Sequence, residues 1–196
     1  PVVRPAVNDP VVIKQFLDLG VQSLIIPMVD EEQQAAAAVA ACQYPPKGVR
    51  GVGSALARSA RWNRIPDYLT RADDTITIMV QIEAEQAVAN VEEILATDGV
   101  DGIFIGPSDL AASMGVIGQQ NHPEVVDAVI KSINAAKAAG KYAGVNAFDQ
   151  KTARTYMEAG ADFVGVGADV ALLARATEAL AASFSNDTKA AAPKSY

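Results

Sequence analysis

The sequence predicts an α/β protein, a parallel sheet covered by helices, of the (β/α)8 TIM-barrel kind. Strand-like and helix-like segments alternate along its 196 residues. The strand-like segments are nearly unbroken apolar runs, as required where both faces of a sheet are covered. Polar and acidic residues collect directly after those runs, where barrels of this kind carry their sites.

The first apolar run, 2–4, reads as a short strand ending in Arg4. Asn8-Asp9-Pro10 opens a helix, with Asp9 as cap and Pro10 in the first turn, and Gly20 closes it. A strand at 23–28 is followed by a helix over 30–43, stopped by Tyr44-Pro45-Pro46. Residues 48–63 carry glycine, serine and arginine without periodicity and read as a loop. A short helix over 66–72 leads into a strand at 76–82, and 84–96 is helical. Gly102–Ile105 is a strand, and a helix starts at Ser108. A clear amphipathic helix covers 123–139 and ends at Gly140. Strands at 142–145 and 163–166, with helices at 150–159 and 170–184, repeat the pattern twice more.

Six strands result. At roughly 30 residues per unit, a barrel of eight leaves about 60 residues expected ahead of Pro1. Residues 1–184 are therefore expected to be six of eight units of a single domain. The tail at 185–196 is small and polar, and is expected to be mobile or to lie on a neighbour.

Composition narrows the classes of function. The formal net charge of −7 argues against a nucleic-acid surface, which needs a basic face. Anionic substrates must then be held by local positive groups or by a metal. The single cysteine, Cys42, allows no internal disulfide, and a reducing cytoplasm is expected. Its place on an alanine-rich helix makes it a packing residue. No apolar run is long enough to cross a bilayer, so no membrane partner is expected.

Two acidic residues stand at the ends of apolar segments, in Gln81-Ile82-Glu83 and Gly106-Pro107-Ser108-Asp109. Neighbouring parallel strands would bring Glu83 and Asp109 to one mouth. Two carboxylates with open positions suit a hard divalent cation such as Mg²⁺ or Mn²⁺. Alternation puts Met79, Gln81 and Glu83 on one face, and an inward Gln and Glu are costly unless they bind something. Both acids have a plainer reading as helix caps, since each precedes a helix. The amides of Ser108 and Asp109 would point out of a helix end, toward a substrate carboxylate. Arg4 would project into the same mouth and stabilise charge developing on an enolate oxygen; a solvent-exposed strand end is the alternative. Asp18, in the last turn of its helix, opposes the helix dipole by about 0.3–1 kcal/mol. That misfit hints at a partner, a histidine it orients, against simple exposure. His122, the only histidine, sits in Asn121-His122-Pro123 and reads as a helix-start residue rather than a base. No lysine ends a strand in the mouth, so a Schiff-base mechanism lacks its nucleophile. Gly51-Val52-Gly53-Ser54 lacks the Lys-Ser/Thr of a nucleotide loop.

Several segments together resemble a known family: Val2-Val3-Arg4-Pro5, Asn8-Asp9-Pro10, the continuous stretch from Arg50 to Arg58, Arg61-Trp62-Asn63-Arg64-Ile65-Pro66-Asp67-Tyr68, Val80-Gln81-Ile82-Glu83, and the stretch from Gly102 to Leu110. They resemble the 4-hydroxy-2-oxoheptanedioate aldolases. These are metal-dependent, pyruvate-using aldolases, grouped with 2-dehydro-3-deoxyglucarate aldolase and related to the citrate lyase β subunit. The resemblance covers essentially all of 1–184. It implies a hexameric (β/α)8 barrel of the phosphoenolpyruvate/pyruvate type, whose last helix packs on a neighbouring subunit. It implies that Glu83 and Asp109 are metal ligands, with Mg²⁺ or Mn²⁺ the natural cation and Co²⁺ a further candidate. Gln81, with the backbone of Ser108 and Asp109, would bind the pyruvate moiety, Arg4 would stabilise the enolate, and Asp18 would sharpen the basicity of a catalytic histidine. The family's histidine lies before the position of Pro1, and His122 does not match it.

The expected activity is a retro-aldol cleavage of 4-hydroxy-2-oxoheptanedioate to pyruvate and succinate semialdehyde, reversible as addition of pyruvate to aldehydes. One rival is a non-catalytic fragment that binds metal and pyruvate only. Another is an aldolase for sugar-derived keto acids, which shares the pyruvate half-site. The expected partners are small 2-oxo acids and aldehydes.

Overall fold

A computed structural model describes residues 1–184; the tail expected at 185–196 lies outside the described residues. Five strands, β1 (Ser23–Ile26), β2 (Thr77–Ile82), β3 (Gly102–Ile105), β4 (Tyr142–Asn146) and β5 (Phe163–Gly165), form one sheet in sequence order. Every neighbouring pair is parallel. Helices fill the crossovers: α1 (Pro10–Asp18), α2 (Glu32–Cys42), α3 (Tyr68–Arg71), α4 (Glu85–Ala89), α5 (Val91–Ala96), α6 (Pro107–Ser113), α7 (Pro123–Ala138), α8 (Gln150–Ala159) and α9 (Asp169–Phe184).

Alternation along the strands separates two apolar faces. Leu24, Ile26, Ile78, Val80, Ile82, Ile103, Ile105, Ala143 and Val145 face the helices and join Ile13, Leu17, Ile94, Val129 and Ile133 in the main core. Ile25, Met79 and Phe104 form a separate cluster on the inner face. Phe104 stacks there on Phe163, with ring centroids 5.6 Å apart.

The run at 2–4 pairs through one residue. The Val3 N–H donates to Ser23 O and the Ile25 N–H donates to Val3 O, each at 2.9 Å. The next donor of that ladder would be residue 5, and Pro5 has no N–H, so pairing stops. The helix expected over 84–96 is two helices, α4 and α5, meeting at Asn90. The Asn90 side chain donates to Asp30 O at 2.8 Å and draws the chain toward the loop after β1. The second helix starts at Glu32, where Glu31 and Gln34 form a reciprocal capping box. Within the expected loop, Arg58–Ala60 forms a 3₁₀ turn. Arg61, Trp62 and Asn63 then take left-handed φ values of 46°, 56° and 62°, an uncommon run for side-chain-bearing residues. Cys42 is buried in α2, and its thiol is pushed up to about 12, chiefly by burial.

One device recurs at the starting ends of the strands. Asp101, just before β3, donates its N–H to Ile78 O (2.8 Å) and accepts the Ile78 N–H on Oδ2 (2.7 Å). Asp162, just before β5, makes the same pair of bonds with Ala143 of β4, both at 2.8 Å. Each aspartate clamps the first residues of the preceding strand and holds the pair in register. Replacing Asp101 by alanine removes a charge-assisted acceptor and strands the Ile78 amide. We expect a loss of about 1.5–3 kcal/mol, read as a lower urea midpoint with unchanged slope; an unshifted midpoint would show that the clamp carries no weight.

Candidate active site

Ile82 of β2 stands beside Ile105 of β3, so the residues that follow, Glu83 and Gly106, leave the sheet at the same level. Asp109 is one turn further on, in the first turn of α6. Neither acid serves as a helix cap. The N-cap of α4 is Ala84 and that of α6 is Gly106, with no side-chain cap bond at either. Glu83 Oε1 instead accepts the Met28 N–H at 3.0 Å from the loop after β1. Met28 takes a left-handed φ of 59° to present that amide.

The electrostatics define a mouth short of positive charge. Burial raises the Glu83 carboxyl above the usual range; the Met28 N–H and the Arg4 charge pull it back, and Asp109 and Asp30 push it up. Glu83, Asp109, Asp30 and Arg4 therefore share one electrostatic neighbourhood. Arg4 reaches it from the stub beside β1, with Nη1 donating to Pro5 O at 3.3 Å. Asp30 belongs to the site and escaped the sequence reading, although it stands four residues past the end of β1.

Gln81 is buried, and its Oε1 has no hydrogen-bond partner. Ile78, Val80 and Ile82 face the helices, so Gln81 faces inward with Met79. The backbone of Gly106 comes close: a Cβ there would stand 3.0 Å from Gln81 Nε2 and 3.3 Å from Glu83 Cβ. Two carboxylates and an orphaned amide oxygen at the end of a parallel sheet are hard oxygen donors suited to a divalent cation. Among the described residues no group of three metal-ligating side chains gathers. Such a cation would therefore keep positions for substrate and water, as Mg²⁺ does when bound by one or two carboxylates.

Ser108 and Asp109 occupy the first turn of α6. Its first intrahelical amide bond is that of Leu110 to Gly106 O, at 3.0 Å. The N–H groups of Ser108 and Asp109 thus point out of the helix end. Asp18 stands elsewhere. It ends α1, five residues before β1 begins, and so lies at the opposite end of the sheet from Glu83. Its partners here are Lys14, one turn back, and Arg50 Nη2 at 3.1 Å. The Arg50 side chain is fully buried, lies 4.5 Å from the Tyr44 ring and also donates to Tyr68 Oη at 3.4 Å. His122 is the N-cap residue of α7, without a side-chain cap bond. Lys14, Lys47, Lys137 and Lys141 are engaged with Asp18, Asp73, Ala159 O and Thr97 O respectively.

The HpcH/HpaI aldolase/citrate lyase model matches residues 1–176. The chain belongs to this family. Membership places it among aldolases and lyases of carbon–carbon bonds. Relatives named 4-hydroxy-2-oxo-heptane-1,7-dioate aldolase include one from Salmonella paratyphi B, 55% identical over 189 residues, covering 96% of this chain and 72% of that protein. Another, from Shigella sonnei, is 53% identical over 196 residues, covering all of this chain and 75% of that protein. A family structure from Burkholderia cenocepacia superposes with a TM-score of 0.88 at 40% identity, over 94% of this chain and 74% of that one. The barrel-type fold expected from the sequence is that of the family.

Two outcomes follow from this geometry. A glutamate whose folded pKa is raised binds its proton more readily in the folded state, so it lowers stability as pH rises through that value. Glu83→Gln should therefore leave the metal-free fold at neutral pH as stable as the parent or more so, while weakening Mn²⁺ binding at least tenfold by calorimetry. Undiminished metal affinity would remove Glu83 from the ligand set. Asp18→Ala leaves the buried Arg50 charge without its carboxylate and should cost about 1–3 kcal/mol. Urea melts of Asp18→Ala and Lys14→Ala compare them directly, and equal small losses would show that Arg50 does not depend on Asp18.

Proposed function

We propose that this chain is a divalent-metal-dependent aldolase. It cleaves 4-hydroxy-2-oxoheptanedioate to pyruvate and succinate semialdehyde, and in reverse adds pyruvate to aldehydes. The observation that carries the reading is the coupled Glu83–Asp109 pair at one end of a parallel sheet, beside a buried Gln81 whose amide oxygen has no partner, in a chain whose relatives bear that aldolase name.

Glu83 and Asp109 would hold Mg²⁺ or Mn²⁺, with Co²⁺ an alternative. The cation, when bound, supplies Lewis acidity toward the 2-oxo acid. The outward amides of Ser108 and Asp109 receive the substrate carboxylate, and Gln81 fixes the plane of the 2-oxo acid from the inner face. A base takes the proton of the C4 hydroxyl. The C4–O bond then becomes a carbonyl, the C3–C4 bond breaks, and its electron pair moves through C2 onto the 2-oxo oxygen. Arg4 meets the charge that develops there. The family resemblance assigns the base to a histidine that none of the described residues supplies, and gives Asp18 the task of tuning it. Asp18 lies at the far sheet end, so in this reading it acts on the histidine of another subunit.

That assembly agrees with α9, which has no buried residue and exposes Val170, Leu172, Leu173, Leu180 and Phe184. We assign this apolar face to a contact in a homo-oligomer, a hexamer as the resemblance implies. No helix among the described residues is long and apolar enough to cross a membrane, and a cytoplasmic enzyme is the proposed setting.

The test is exchange of the pyruvate methyl protons in D₂O, followed by NMR with Mg²⁺ or Mn²⁺ and then with EDTA. Metal-dependent exchange, lost with EDTA, is the expected result. Absence of exchange while pyruvate still binds would favour a non-catalytic half-site and overturn the aldolase reading for this chain.

A further inference from the structure

The proposed substrate carries a second carboxylate at the far end of its chain, and the mouth offers it little. Arg4 is the positive group acting on Glu83 there, against Asp109 and Asp30, and in the aldolase reading it already meets the enolate. The chamber that adjoins the mouth at Ser108 has no lysine or arginine in its lining, and its Asp149 would repel a carboxylate. Arg154 lines a separate groove at the same sheet end, with Ala147 and Val166, but that groove includes none of Gln81, Glu83, Ser108 and Asp109. A charge taken out of water without a partner is costly, so the terminal carboxylate calls for a cation from elsewhere.

Such cations stand around Asp18. An open groove of about 670 Å³ runs beside it, with Lys14, Leu56, Arg58 and Trp62 in its lining. Lys14 is committed. It pairs with Asp18, and the loop backbone lies against its stem, so that a Cβ on Gly51 would stand 3.0 Å from Lys14 Cε. Arg58 is exposed, and among the described residues it belongs to no ion pair. Asp18 is the one acid among the groove's lining residues, and it already faces both Lys14 and the buried Arg50. In a chain of net charge −7 this is a locally positive surface with one guanidinium to spare.

The rest of the lining suits a short aliphatic chain. Leu56 and Trp62 are exposed, at 87% and 54%, and give the groove an apolar wall. Methylenes can lie on that wall while the planar guanidinium of Arg58 receives a carboxylate through two parallel bonds. Asp18 relates this groove to the reaction. It stands at the opposite sheet end from the mouth of its own copy, and in the aldolase reading it serves the histidine of another. What lies beside Asp18 then faces the reacting end of that other copy's substrate, whose terminal carboxylate is a short methylene chain beyond C4.

We propose that Arg58 of one copy binds the terminal carboxylate of the substrate held in the mouth of another, and so sets the preference for a dioate chain. The proposal rests on the aldolase reading above and on the role it gives Asp18 between copies. Recognition of the two substrate ends is thereby divided. The carboxylate pair and α6 amides of one copy take the 2-oxo acid, and the Asp18 groove of its neighbour takes the far end. Aldehydes that end in a carboxylate are preferred to apolar ones of the same length.

Uncleavable mimics of the 2-oxo acid test this on the full chain with Mn²⁺ by calorimetry. N-(3-carboxypropyl)oxamate reproduces the length and both charges of the heptanedioate, and N-butyloxamate ends in a methyl group instead. Oxamate itself reports on the pyruvate half-site alone. The expected result is tenfold or tighter binding of the carboxypropyl compound than of the butyl one. Arg58→Gln should largely abolish that preference, Arg58→Lys should keep part of it, and Arg154→Gln should leave it intact, with oxamate affinity unchanged throughout. Arg58→Gln and Glu83→Gln copies co-expressed in one assembly should regain a tight class of sites for the carboxypropyl compound that neither variant shows alone. Oxamate binding with no preference in the parent, a preference that survives Arg58→Gln or is lost with Arg154→Gln, or no regained class in the mixed assembly overturns this proposal alone. Failure of oxamate to bind at all would take down the aldolase reading and the proposal with it.

Discussion

The mouth of this protein depends on the register between β2 and β3. Because Ile82 and Ile105 are side by side, the chain leaves both strands at one level, and the first polar groups after them must share a small volume. A slip of one residue would turn Gln81 into the helix-packed core and Ile82 toward the mouth. Gly106 completes the constraint, since its bare backbone lets β3 end against Gln81 and Glu83.

That convergence has a cost, and the cost explains the chemistry. Glu83 is drawn out of water beside Asp109 and Asp30, with one backbone amide and the Arg4 charge to compensate. A carboxylate placed as Glu83 is holds its proton more readily than an exposed one, which marks it as a functional group rather than a support of the fold. The same arrangement, met by a doubly charged cation, becomes favourable because the cation's charge reverses the local balance. The mouth gives up stability for affinity, while the opposite sheet end, where Asp18 supports the buried Arg50, contains a compensated ion pair.

The parts that were legible in the sequence are those set by local pattern. Unbroken apolar runs followed by polar residues placed β2 and β3, and so the pair of acids at their ends. Asp9 capping α1, with the Val11 and Val12 amides on its Oδ1, was readable from Asn8-Asp9-Pro10. What was not legible depends on contacts distant along the chain. Asn90 breaks a helix by reaching a carbonyl 60 residues earlier, and Asp18 finds Arg50 32 residues later. Tyr156 lies on the apolar stripe of α8, and nothing in that stripe says that its buried hydroxyl is left without a hydrogen-bond partner. The reduction of 2–4 to a single bridge follows from Pro5, a local signal available in the sequence but outweighed there by the apolar run.

The paired aspartates at the strand starts bear on how such a protein can change over time. Asp101 and Asp162 perform one task two units apart, each binding the strand before its own. The sheet is thus assembled from repeated two-strand modules whose geometry is secured at the end away from the mouth. Loops at the other end can lengthen, shorten or exchange residues without loosening the strands that carry them. Inheritance of the scaffold is thereby separated from innovation in the site, and a lineage built on these modules can diversify its substrates while its frame stays put.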